Sequence, residues 1–104
     1  MIVIPAAAAL QEKADEASVL LAAMANPKRL LVLCHLVEAE RSVGQLAEIV
    51  GLSQAALSQH LAKMRALRLV NTRREGQTIY YRLASREVRE LLETLYRIYC
   101  VPKS

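Results

Sequence analysis

Residues 42–67 read SVGQLAEIVGLSQAALSQHLAKMRAL. Ser42 followed three residues later by Gln45 is a capping box, in which each side chain satisfies a backbone N–H at a helix start. It stands ahead of the apolar positions Val43, Leu46, Ala47 and Val50. Gly51 then closes this short helix, because glycine takes the left-handed turn that a helix end requires. Ser53 is a second N-cap, and Leu57, Leu61, Met64 and Leu67 form the stripe of the helix it opens. Two short helices joined by a tight glycine turn predict a helix-turn-helix over about residues 43–67.

Upstream, Leu10, Ala14, Ala17, Leu21 and Met24 recur at helical spacing, with Gln11, Lys13, Asp15 and Glu16 facing away, which predicts a first helix over about 10–25. Asn26-Pro27 ends it and starts a second, since Asn caps well and Pro suits the first helical position. That second helix carries Leu30, Leu33, Cys34, Leu36 and Val37. Downstream, β-branched and aromatic residues occupy both arms of 69–83 around Glu75-Gly76-Gln77, the pattern of a β-hairpin. Ser85 caps a last helix over about 85–100, with Val88, Leu91, Leu92, Leu95 and Tyr99 in its repeat and Pro102 beyond it. The fold class is mainly α with a β-hairpin wing, in the order ααααββα, as one domain over 1–104.

Of the 104 residues 54% are hydrophobic, yet Phe and Trp are absent. A chain this small buries only about two-thirds of its surface. Its surplus of Leu, Val and Ala therefore predicts a homodimer. The net charge of +4 comes from 14 basic against 10 acidic residues, and ten of the basic ones are Arg, the side chain best matched to phosphate. No apolar run reaches the roughly 18 to 20 residues that cross a bilayer, and Met1–Leu10 lacks the basic start of a signal peptide, so the reading is cytoplasmic with no membrane partner. No Ser/His/Asp or Cys/His motif and no phosphate loop points to an enzyme, and no cofactor is implied.

Opposite its leucine stripe, the helix presents Gln54, Ala55, Ser58, Gln59 and Ala62, and Ser53 at its entrance is expected at the same DNA-reading surface. Short uncharged side chains of this kind approach base edges in a major groove, Gln pairing with adenine and small residues meeting thymine methyls. His60, Lys63 and Arg65 are placed to reach phosphates. Arg73, Arg74 and Gln77 gather about the hairpin tip. A hairpin standing alone carries such charge merely to blunt its edge. Directly after a helix-turn-helix, it makes a wing over an adjacent groove. Double-stranded operator DNA is the expected partner. The other reading is a winged-helix module that binds proteins through the same helices, which a flat salt response distinguishes.

Three stretches together are specific: Asn-Pro-x-Arg at 26–29, Leu52 to Leu61, and Arg73 to Leu83. They resemble the ArsR/SmtB family of winged-helix repressors, a resemblance spanning Ala14 to Cys100. It implies homodimers paired through the first and last helices that bind inverted-repeat operators and release them on meeting an inducer.

The inducer is the open question. Ser42-Val43-Gly44 stands where arsenic and cadmium sensors of that family carry a Cys-x-Cys pair, and residues 88–100 contain no His for a zinc site. Cys34, His35 and Cys100 offer at most three ligands where a tetrahedral site wants four. Cys34 shares the stripe of Leu30 and Val37, and buried packing is the ordinary role of such a cysteine. Within the family, however, the chain is similar to the BigR, SqrR and HlyU group, with one cysteine in the second helix and one near the end of the last. That similarity implies a Cys34–Cys100 dithiol, reduced when bound to the operator and linked by reactive sulfur species or oxidants on release. A metal- or haem-responsive repressor of the same family is the alternative.

Overall fold

Helix capping and a buried leucine cluster explain most of the architecture. The computed structural model describes residues 5–102, with side-chain environments from Ala7 onward. The order is α1 (Pro5–Glu12), α2 (Ala14–Met24), α3 (Pro27–Glu38), β1 (Arg41–Ser42), α4 (Val43–Val50), α5 (Gln54–Ala66), β2 (Val70–Glu75), β3 (Thr78–Leu83) and α6 (Arg86–Tyr99). The mainly helical winged-helix class is borne out, with two additions to its expected order.

The first is at the N-terminus. The apolar spacing predicts a single helix over 10–25. Helix instead begins at Pro5 and breaks at Lys13, whose N–H turns back to the Leu10 carbonyl at 2.9 Å. The second is β1, which pairs antiparallel with β3 so that Arg41 faces Tyr81 and Ser42 faces Tyr80. The sheet runs β1-β3-β2. A two-residue strand carries no periodicity of its own and exists only through its partner.

The caps form as the sequence predicts. The Asn26 side chain accepts from the N–H groups of Lys28 and Arg29, with Pro27 inside the first turn of α3. Ser42 and Gln45 make both bonds of the capping box. Ser53 accepts from Ala56 and Ser85 from Val88, each at 3.1 Å. Gly51 closes α4 at φ 70°. After α5 the left-handed residue is Arg68, at φ 62°. The N–H of Leu69 reaches the Met64 carbonyl and that of Arg68 the Arg65 carbonyl, both at 2.9 Å, the paired bonds of a Schellman stop.

Val32, Leu33 and Leu36 from α3, Leu46 and Val50 from α4, Leu57, Leu61 and Met64 from α5, and Val88 and Leu92 from α6 make the core, with Val70 of β2. Among the described residues no polar or charged side chain is buried with them. Each leucine withdrawn from water contributes about 1.5–3 kcal/mol. Several predicted core positions lie elsewhere. Leu10 and Leu21 are exposed, because α2 meets the core along Leu20, Ala23 and Met24. Leu67 caps the end of α5 in solvent, Tyr99 is 79% exposed on α6, and Cys34 is exposed on α3. No single helix among the described residues is long and apolar enough to cross a membrane.

Candidate nucleic-acid interface and thiol pair

The helix α5 is fixed on its inner side and free on its outer one. Leu57, Leu61 and Met64 anchor it in the core, while Gln54, Ala55, Ser58, Gln59, Ala62 and Lys63 are exposed along the opposite face. Its first two turns present two amides and a hydroxyl, from Gln54, Gln59 and Ser58. Its last turn carries Lys63 and Arg65, which also oppose the negative end of the helix dipole. Ser53, expected at this surface, spends its hydroxyl on the cap and sits exposed at the helix entrance.

His60 does more than its sequence position signals. Its Nδ1 accepts a hydrogen bond from Arg29 Nε at 3.0 Å, and Arg29 Nη1 reaches the Ala23 carbonyl at 3.4 Å. Arg29 therefore ties the end of α2 and the start of α3 to the middle of α5. Desolvation, then Arg29, then Lys63 lower the His60 pKa below its ordinary 6.5, so the ring is neutral at neutral pH. Lys28, beside it, donates to the Val50 carbonyl at 2.5 Å and closes the C-terminal end of α4. Neither brace is legible in the sequence, although both belong to the Asn-Pro-Lys-Arg run at 26–29. The residues that they hold lie outside that run.

In the hairpin, β2 and β3 pair from Val70–Leu83 to Glu75–Thr78. Gly76 supplies a φ of 63° at the first of two turn residues, a conformation that two-residue hairpin turns require. Arg74 and Gln77 are exposed near this tip, and Arg74 makes no ion pair among the described residues. Arg73 projects from the other face. Its guanidinium is bound by Glu40 at 2.7 Å and Glu75 at 2.6 Å and lies 4.6 Å from the centre of the Tyr80 ring.

On the far side of α3, a cavity of about 410 Å³ separates it from α6, lined by Cys34, Val37, Glu38, Leu92, Tyr96 and Arg97. Cys34 and Cys100, 66 positions apart in sequence, are both free and exposed. Partial desolvation against α6 pushes the Cys34 thiol pKa up from its ordinary 9.0, and the Cys100 and Glu38 charges push it further. Cys34 therefore rests as a thiol. Arg97 donates to the Thr94 hydroxyl at 3.1 Å. Among the described residues no three His, Cys, Asp or Glu side chains stand together as a metal site.

This geometry has relatives. Residues 26–72 match the model of the bacterial regulatory protein, arsR family. The chain is 58% identical over 88 residues to the nodulation protein NolR of Rhizobium meliloti, spanning 85% of this chain and 72% of NolR. It is 52% identical over 91 residues to the transcriptional activator HlyU of Vibrio cholerae, spanning 88% and 84%. The structure of reduced HlyU superposes with a TM-score of 0.83 over 88% of this chain and 97% of that one, at 51% identity. The transcriptional repressor BigR of Xylella fastidiosa superposes at 0.84, with 39% identity over 89% and 95%. The chain belongs to the ArsR family of winged-helix, DNA-binding transcriptional regulators, in the group of HlyU and BigR.

Proposed function

We propose that the protein is a homodimeric repressor whose hold on an inverted-repeat operator is governed by the Cys34–Cys100 pair. The observation that carries this reading is that α6, which ends at Cys100, packs against α3 beside Cys34, so that a charge on Cys100 raises the Cys34 pKa. A shared, solvent-reached thiol pair is what a covalent link between α3 and α6 needs. BigR, of the same fold, is a transcriptional repressor, and one solved structure of HlyU is of its reduced form.

The chemistry closes without an external electron acceptor when the inducer is a persulfide. The Cys34 thiolate attacks the outer sulfur of R–S–SH, forming Cys34–S–SH and releasing R–SH. Cys100 then attacks the sulfur bonded to Cys34, the Cys34–S–S–Cys100 bond forms, and hydrogen sulfide leaves. A peroxide reaches the same disulfide as two electrons pass from the thiols to its oxygens, giving water. The cavity beside Cys34 admits the donor.

What supports dimerisation is the apolar surface that the fold leaves uncovered. Leu10, Val19 and Leu21 on α1 and α2, and Tyr96, Ile98 and Tyr99 on α6, are all exposed. Six large apolar side chains on terminal helices fit a two-fold interface built from those helices. Two copies of α5 then read half-sites about 34 Å apart, and a link that shifts α6 against α3 alters that spacing. Base edges are met by Gln54, Ala55, Ser58 and Gln59, and phosphates by Lys63, Arg74 and Gln77. Treatment of the reduced protein with glutathione persulfide, followed by intact mass and peptide mapping, tests the link. A Cys34–Cys100 cross-linked peptide supports the reading. Modification of either cysteine alone, without a cross-link, refutes it.

A further inference from the structure

Arg73 stands one residue from Arg74 in the same basic pair, yet its surroundings are opposite. Its Nε and Nη2 both engage one Glu40 oxygen at 2.7 Å, and its Nη1 engages Glu75 at 2.6 Å. Its plane lies over Tyr80, the residue it faces across the strands. One cation held by two carboxylates leaves a local excess of negative charge. A phosphate approaching that group gains little, because every nitrogen already has a partner and no condensed counterion is displaced by it.

Glu40 is the informative partner. It lies two residues beyond the end of α3, in the link to β1, whereas Arg73 is on β2 at the far edge of the sheet. The pair therefore spans the sheet from the α3 junction to the hairpin, 33 positions apart in sequence. Val70, Tyr81 and Leu83 seat the base of the hairpin on the core, but β1 adds only two residues and β2 is exposed from Arg73 outward. We propose that Arg73 is a positioning residue, a strut to Glu40 that sets the angle of the wing, and that the phosphate contact of the wing belongs to Arg74. Exposed ion pairs add little to stability, about 0–1 kcal/mol. This one acts through orientation.

The strut matters to function only if the wing meets DNA, as the proposed function holds. Fluorescence anisotropy with the intact protein and a duplex from its own upstream region, across a salt series, separates the roles. Arg74→Gln should flatten the plot of log affinity against log salt by about 0.9 for each phosphate no longer neutralised. Arg73→Gln and Glu40→Gln should each weaken binding by about threefold to tenfold with the slope unchanged, and the double variant should be no weaker than either single one. Arg73→Lys, which keeps the charge and loses the fork, should behave like Arg73→Gln. Tighter binding by Glu40→Gln would mean that Glu40 masks a phosphate contact, and the strut falls. A slope flattened in Arg73→Gln as much as in Arg74→Gln overturns it equally. Affinity and slope untouched in Arg74→Gln would remove the wing from the interface and both assignments with it.

Discussion

Arg29 Nε donates to His60 Nδ1 at 3.0 Å, joining the first turn of α3 to the outward-facing helix α5 across 31 positions of sequence. The bond needs an unprotonated Nδ1. With the His60 pKa lowered below 6.5 in the fold, the unfolded chain binds the proton first as pH falls. Stability from this site is full above pH 6.5 and is lost as pH drops through the lowered value. Thermal melts of wild type and His60→Gln from pH 8 to pH 5 should converge at the acid end. Parallel curves over the whole range would mean that the bond contributes nothing.

Gln59 and Arg74 are expected to fail differently. Gln59→Ala should reduce discrimination among operator sequences by about 1–3 kcal/mol at one base position, while Arg74→Ala should weaken every sequence alike. Competition against single-base operator variants reads both. If Gln59→Ala leaves discrimination unchanged, α5 does not read bases through that residue.

Arg68 holds a left-handed conformation that costs a non-glycine residue about 1–2 kcal/mol. Arg68→Gly relieves it, at the expense of a more flexible unfolded chain. A net gain of about 0.5–1 kcal/mol is expected from denaturant titration. A loss of stability would show that the arginine side chain outweighs its backbone.

The raised Cys34 pKa sets the pace of the sulfur chemistry. Only the thiolate attacks, so the rate of persulfide transfer should climb about tenfold per pH unit between pH 7 and pH 8.5. Stopped-flow kinetics on Cys100→Ser isolates this step. A rate independent of pH in that window would place the attacking thiolate elsewhere.

The capping residues were legible because each acts within three positions of itself: Asn26, Ser42 with Gln45, Ser53 and Ser85 all bond where the sequence predicts. The polar face of α5 was legible for the same reason, since periodicity says which residues share a side. It does not say what covers that side. Leu10, Leu21 and Cys34 repeat with core residues and yet are exposed, because among the described residues no element covers them fully. The Lys13 break carries no Gly or Pro, and β1 needs β3 to exist. The pairs Arg29–His60 and Glu40–Arg73 join residues more than 30 positions apart, and only the fold brings them together.

The most direct measurement is operator binding by fluorescence anisotropy on the protein's own upstream DNA, comparing reduced protein, protein exposed to glutathione persulfide, and Cys34→Ser treated alike. The proposed switch predicts that treated wild type loses the operator while the reduced protein and the treated variant keep it. Equal binding in all three would contradict control by the Cys34–Cys100 pair.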